Sequence, residues 1–465
     1  MTRISTLPVI ATAMLSMSAV SAHAMDVYNC KELIHCLNNS MDVTLMNDIK
    51  MDNNAYKDYI DFGYTCCYKA NIDGQGHKIY GIKGKNTGAS NIGLIHYCAG
   101  STIKNLTVEY DELMADKYVG GIAGQARYTK FENCHVTGDL KSDNGSHSFL
   151  GGITGYAYQC DFKDCTLVGH LYGDADNVGG IAGCTCGQTE ITNCKVNGYV
   201  FADGSSSHSN VGGIVGVMVN CVDSHVKDCT NNAKVEGNGD MVGGIIGEIT
   251  LSDNNEYLGS DAKIVYIPVD TKDENKEHKL AIENCTNNGE VKGSISTSDF
   301  GGSWYVGGIV GTVISTEMTG TKCYSNGNVE GRACIGGLMG GEMGVPIYMH
   351  PGFADCVVTG RIYCSEGYWG FVASALGCGY HGHAPWSYYR NCDTSKARIY
   401  VEDKRIDGNS TQSLDNDFDM QPAEEAATAP APAAKKEVAK KVMINGKLTL
   451  VKANGTTVDM SGMMR

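Results

Sequence analysis

The sequence predicts an all-β protein, a parallel β-helix solenoid of about ten stacked coils with an N-terminal helical cap. Three observations carry this. A glycine phrase repeats with a period near 31 residues, a cysteine phrase follows each copy, and the runs between are short and β-branched with no helical periodicity. Composition agrees. Of 465 residues, 59 are glycine and only 8 proline, which excludes a collagen-like or proline-rich chain, and 42% are apolar, enough for a sizeable core.

The elements follow in chain order. Residues 1–24 read as an export signal: Arg3 is basic, Leu7 to Val20 is an apolar run too short to span a membrane, and Ala22-His23-Ala24 is a small-x-small cleavage site, so the mature chain is expected to start at Met25. Residues 25–110 should hold the cap and the first coils. Leu33, Ile34 and Leu37 lie at helical spacing, and a short amphipathic helix there would cover the open first coil.

Residues 111–400 hold the repeats. The Gly-Gly-apolar-x-Gly phrase starts at Gly120, Gly151, Gly179, Gly212, Gly243, Gly307 and Gly336, at spacings of 31, 28, 33, 31, 64 and 29 residues. The spacing of 64 reads as one period plus a polar insertion at about 252–280. Val178 and Ile181 flank one glycine pair, and a bend or bulge at Gly179-Gly180 would turn both inward. The second phrase centres on Asn/Asp-Cys, giving Cys134, Cys165, Cys194, Cys229, Cys285, Cys356 and Cys392, with Lys322-Cys323 as the exception; these cysteines should stack as one internal column. A weaker second column is expected eight residues earlier, from Cys98, Cys186 and Cys221. After Cys229, Cys285 and Cys323 the closing glycine is displaced by four residues, through segments such as Thr230-Asn231-Asn232-Ala233, so a turn is lengthened there while the strands keep register. Each coil should contain two or three short strands.

The phrases Tyr118-Val119-Gly120-Gly121-Ile122-Ala123-Gly124 and Cys285-Thr286-Asn287-Asn288-Gly289-Glu290-Val291-Lys292-Gly293 resemble the GLUG-motif repeats of bacterial surface proteins. The stretch from Leu45 to Ile79 is similar to the usual opening of such β-helices, and the resemblance covers about residues 40–395. It implies a right-handed β-helix that is secreted or surface-exposed, in many cases an adhesin or stalk, and it fixes no ligand. Residues 401–441 turn acidic and then Ala/Pro/Lys-rich, reading as a disordered linker. Beyond it, Val442–Val451 alternates like a strand, Asn454-Gly455 marks a turn and Val458 to Gly462 closes a small β unit; residues 442–465 resemble the C-terminal sorting regions of type IX secretion. That resemblance implies a secretion machine as partner and an outer-membrane-associated or secreted location.

Charge narrows the function classes. The net charge is −15, and the first 24 residues and the lysine-rich tail are positive, leaving −19 for residues 25–420. That field disfavours nucleic acid and anionic lipid. No HExxH, GxSxG or P-loop motif occurs, and no cofactor is implied. His381-Gly382-His383, with His350, could present imidazoles on one strand face, but surface histidines are the expected reading over a metal site. Asp164 and Asp228 occupy the Asn/Asp position of the cysteine phrase and are expected to be structural, although with Asp223 they are the available carboxylates for a polysaccharide lyase or hydrolase. Tyr363, Tyr368, Trp369, Tyr380, Trp386, Tyr388 and Tyr389 crowd the last coils; Trp369, Tyr380, Trp386 and Tyr388 are candidate glycan contacts, and a hydrophobic plug is the alternative. The 20 cysteines fit an oxidising compartment, where the off-column Cys30, Cys36, Cys66 and Cys67 are freer to form disulfides than the column members. The leading expectation is a non-catalytic extracellular or cell-surface protein for adhesion or display, with an extracellular polysaccharide or host or cell-surface ligand as partner. Carbohydrate binding through the C-terminal coils comes second and a polysaccharide-degrading enzyme third.

Overall fold

A computed structural model describes residues 24–51, 66–143, 148–174, 177–203, 209–239, 241–251, 279–295, 303–314, 316–343, 351–365, 373–377, 388–406, 440–444, 447–451 and 457–459. The chain divides into two compact units, residues 1–420 and 421–465.

The first unit is the expected β-solenoid. Its strands pair in parallel with the equivalent strands one coil away, as in Leu140 opposite both Leu113 and Leu171. A representative coil has four strands, Asp161–Lys163, Thr166–Gly173, Asn177–Gly179 and Ala182–Cys186, more than the two or three expected. The extra break is at Asp164, whose φ of 56° interrupts the strand before Cys165. The first three strand positions join one extended network, while the fourth stacks separately from Cys66–Tyr68 to Met339–Met343. Among the described residues that ladder has nine strands, hence about eight turns, slightly fewer than the ten coils expected.

The glycine pair turns the chain as expected: Val178 and Ile181 are both fully buried in the main core. Its cause is space. Neither Gly179 nor Gly180 has positive φ, but a Cβ on Gly179 would strike the backbone of Ala182 and Gly216, and one on Gly180 would meet Gly213 O and the Val196 methyls. The third and fourth strands therefore pack backbone to backbone, and only glycine allows that approach.

The lengthened turn is also present. Thr166–Gly173 is continuous, but one coil beyond Lys195–Ala202 the chain forms Thr230–Asn231 and then Lys234–Gly237, both still in register. Asn231 replaces Val196 in the interior, fully buried. Its Nδ2 donates to Ala233 O at 3.0 Å and to Asn287 Oδ1 at 2.8 Å, and its Oδ1 accepts from Ala233 N–H at 3.0 Å. The period of 64 is explained likewise. Ile246–Thr250 pairs with Val310–Ile314, and Lys279–Glu283 pairs with Ser224–Lys227, so the array keeps register across the insertion. Residues 252–278 themselves lie outside the described residues.

The ends are closed. Strand Met25–Val27 pairs with Val43–Leu45, and helix Cys30–Asn38 buries Cys30, Leu33, Cys36 and Leu37. Asn29 caps it by accepting from Glu32 N–H at 3.1 Å, and Glu32 reaches back to Tyr28 N–H at 2.8 Å. At the other end Arg398–Val401 folds back on Lys404–Ile406 as an antiparallel hairpin, its turn residues Glu402 and Asp403 both at positive φ.

The second unit contains an antiparallel three-stranded sheet, Lys440–Ile444, Lys447–Val451 and Thr457–Asp459. This corrects the single strand expected over Val442–Val451. The two strands pair antiparallel from Ile444 opposite Lys447, and the sequence between them, Asn-Gly, is a strong hairpin signal hidden in the alternating run. The linker expected at 401–441 lies largely outside the described residues.

Candidate functional site

The Asn/Asp position before each cysteine is a structural ladder. Asn105, Asn133, Asp164, Asn193, Asp228, Asn284, Lys322, Asp355 and Asn391 all take left-handed backbone angles, φ 51° to 56°. Asparagine and aspartate tolerate this region best among residues with a Cβ. Their side chains bond from coil to coil: Asn193 Nδ2 donates to Asp164 Oδ1 and Asn284 Nδ2 to Asp228 Oδ1, both at 2.6 Å. Asp164 and Asp228 are thus engaged in architecture, as expected.

Behind them runs the cysteine column. Cys134, Cys165, Cys194, Cys229, Cys285, Cys323 and Cys356 are buried and Cys392 is half-buried at the end. The thiol of Cys134 donates to Ile103 O at 3.3 Å, that of Cys165 to Phe131 O at 3.5 Å and that of Cys285 to Val226 O at 3.4 Å, each a carbonyl of the preceding coil. Burial pushes the Cys194 thiol up from its ordinary range, so the thiol stays protonated and is a poor nucleophile.

Two cysteine expectations are corrected. The second column does not exist as a column: Cys98 faces the core opposite Cys67 and Ala126, Cys186 lies opposite Tyr158 and Val219, and Cys221 sits in the turn that follows. The turn lengths between the fourth strand and the next coil differ, so equal spacing in sequence is not equal register. Among the described residues no cysteine is in a disulfide, Cys30, Cys36 and Cys67 included, although bridges were expected off the column. Cys36 instead donates to Met25 Sδ at 3.4 Å, and Cys67 to Leu37 O at 3.8 Å. The side chain of Cys66 lies outside the described residues.

Of the C-terminal aromatics, Trp369, Tyr380 and Trp386 lie outside the described residues, as do Tyr368, His350, His381 and His383; Tyr388 is described in its backbone alone. Tyr389 stacks on the buried Phe353 ring at 6.3 Å, and Arg361 lies over the rings of Tyr363 and Tyr400 at 4.9 and 4.7 Å. At the expected cleavage site, Ala24 is exposed and Met25 N–H donates to Asp42 O at 2.8 Å.

Sequence reasoning missed two surface features. One is a cavity of about 160 Å³ lined by Asp223, Ser224, His225, Lys279 and Glu317, where His225 Nδ1 meets Glu190 Oε1 at 2.8 Å. The Ser224 hydroxyl there donates to Gly187 O at 3.2 Å and accepts from Thr189 N–H at 3.1 Å, so it is oriented away from a nucleophile's task. The other is the outer face of the fourth-strand ladder over its first coils, where Tyr68, Tyr97, Gln125, Arg127 and Tyr158 line adjacent columns. Burial there pushes the Tyr158 phenol up to about 12. The signal was present: Gln125 and Arg127 stand five and seven residues after Gly120, and Tyr156 and Tyr158 stand at the same offsets after Gly151. Among the described residues no three His, Cys, Asp or Glu groups converge as metal ligands, and no helix is long and apolar enough to cross a membrane.

No protein-family model and no curated protein matches the chain. Among solved structures, the chain is similar to a Bacteroides ovatus protein provisionally described as an immunoglobulin A1 protease. Identity is 16% over 83% of this chain and 79% of that one, with a TM-score of 0.29. A score that low carries no argument about activity.

Proposed function

We propose that the chain is a non-catalytic β-solenoid displayed outside the cell, serving adhesion or surface presentation. The observation that supports this best is the use of its polar side chains. Asp164 and Asp228 bond to asparagines of neighbouring coils, and Lys78–Glu109, Lys130–Asp161 and Lys141–Glu112 pair across coils on the surface. Such pairs maintain a long ladder and leave these carboxylates without the unequal environments that acid–base catalysis requires. The signal-like residues 1–24 and the GLUG-like phrases support export, and residues 442–465, similar to sorting regions, support passage to the surface.

The test pairs two readouts. Intact cells are treated with a membrane-impermeant amine label, and the purified chain is incubated with a polysaccharide panel. Labelling of the solenoid with no sugar release is expected. Release of oligosaccharides, or a chain that labels only after lysis, would overturn the reading.

A further inference from the structure

Like charges directly opposite one another on paired strands repel, and a counter-charge beside them relieves the cost. Asp161 opposite Glu190 has one on each side, Lys130 at 3.5 Å from Asp161 and His225 at 2.8 Å from Glu190. Arg361 opposite Arg398, on the outer face of the last coils, has no such relief. The residue one coil before Arg361 is the neutral Asn328, and neither arginine makes an ion pair among the described residues. Both arginines are exposed. The Arg361 guanidinium is also held in place, lying over the Tyr363 ring at 4.9 Å and the Tyr400 ring at 4.7 Å. Those two tyrosines stand in register in the next outward column. Stacking on rings occupies the faces of a guanidinium and leaves its N–H edge for a ligand. Exposed Lys404 and Arg405, on the strand paired with Ile399–Val401, gather further positive charge at this end of an acidic body. Burial, Asp403 and Glu330 push the Tyr363 phenol up, and neither carboxylate pairs with Arg361 or Arg398 among the described residues.

We propose that Arg361 and Arg398 bind a saccharide bearing an isolated oxyanion, a carboxylate or a sulfate ester, held between the two guanidiniums. A coil spacing of about 4.8 Å puts both within reach of the oxygens of one such group. The anion then supplies the counter-charge that the column lacks. The phenols of Tyr363 and Tyr400 stand beside it and offer the sugar hydrogen bonds and an apolar edge. Charge selects the class of ligand. The body's −19 repels a dense polyanion or an acidic polypeptide, which leaves single acidic groups among neutral ones, as on a sparsely charged glycan. The site lies on an exposed sheet face, so a sugar reaches it without any opening of the fold. The proposal rests on the display reading for its access to glycans, though not for its geometry.

The test is calorimetric titration of the full chain with sialyllactose and with sulfated lactose, against lactose, sodium sulfate and a peptide of the acidic sequence 411–420. At least one acidic sugar should bind about tenfold or more tighter than lactose, and which one does so tells carboxylate from sulfate. Arg398→Gln should abolish that preference, and Arg398→Lys should lose most of it although the charge is kept. Without ligand, Arg398→Gln should melt no lower than the parent, because it removes one of two opposed like charges. Equal affinity for lactose and both acidic sugars, or no binding of either, would overturn the site. So would free sulfate or the peptide binding as tightly as the acidic sugars, or an unaltered preference in Arg398→Gln. The lactose comparison needs no variant, so it decides even where Arg398→Gln fails to fold. A chain that labels on intact cells yet binds no acidic sugar sinks this site alone; acid-selective binding by a chain that labels only after lysis sinks the display reading alone.

Discussion

His96 is 4% exposed, and burial pushes its imidazole down to about 4 from an ordinary 6.5. Its folded pKa lies below its unfolded one, so the unfolded chain takes up the proton first as pH falls. This histidine's contribution to stability is therefore complete above pH 6.5, declines between 6.5 and about 4, and is lost below that, a difference of about 3 kcal/mol. Denaturant midpoints across that window should fall with pH, and His96→Leu should flatten the fall; an equal slope in both proteins would remove His96 as the cause. Asn231 tests a different buried polar group. Asn231→Ala deletes its three hydrogen bonds and leaves Asn287 Oδ1 without that donor, so a loss of about 2 to 4 kcal/mol is expected in equilibrium unfolding. A loss under about 0.5 kcal/mol would mean that water replaces the amide without penalty.

Among the elements, the glycine bend sets the shape of every coil. Gly180→Ala places a methyl against Gly213 O and 2.5 Å from a Val196 methyl, both held by the stack. It should cost about 2 kcal/mol in a melting or denaturant experiment, and a neutral result would mean the third and fourth strands can part. Much at this scale was legible. The 31-residue period, the inward turn of Val178 and Ile181, the lengthened turns and the capping helix follow from local rules that the coil-to-coil packing reinforces. What was not legible had identifiable causes. Cys98, Cys186 and Cys221 share a spacing but not a register, because turns of unequal length separate them from the next coil. The hairpin at Ile444 to Lys447 was hidden because both its strands alternate in phase. The face around Arg127 was not legible because its column changes residue type from coil to coil, Tyr68, Ala99, Arg127 and Tyr158, whereas the inward glycines and cysteines recur unchanged. The polar and aromatic residues on it repeat at the same period but point outward.

At the scale of the whole molecule, the solenoid and the C-terminal β unit are separate compact bodies, residues 1–420 and 421–465. Within the first unit, Arg398–Val401 folds back on Lys404–Ile406 at the end of its described strands, and in sequence the small β unit follows an Ala/Pro/Lys-rich segment. The display account assigns it to export. The most direct measurement is fractionation of cells producing the full chain and a chain lacking residues 442–465, with the melting temperature of each purified protein as control. The account predicts equal melting temperatures, the full chain at the surface or in the medium, and the truncated chain retained in the periplasm. A truncated chain that reaches the surface as efficiently as the full one would contradict it.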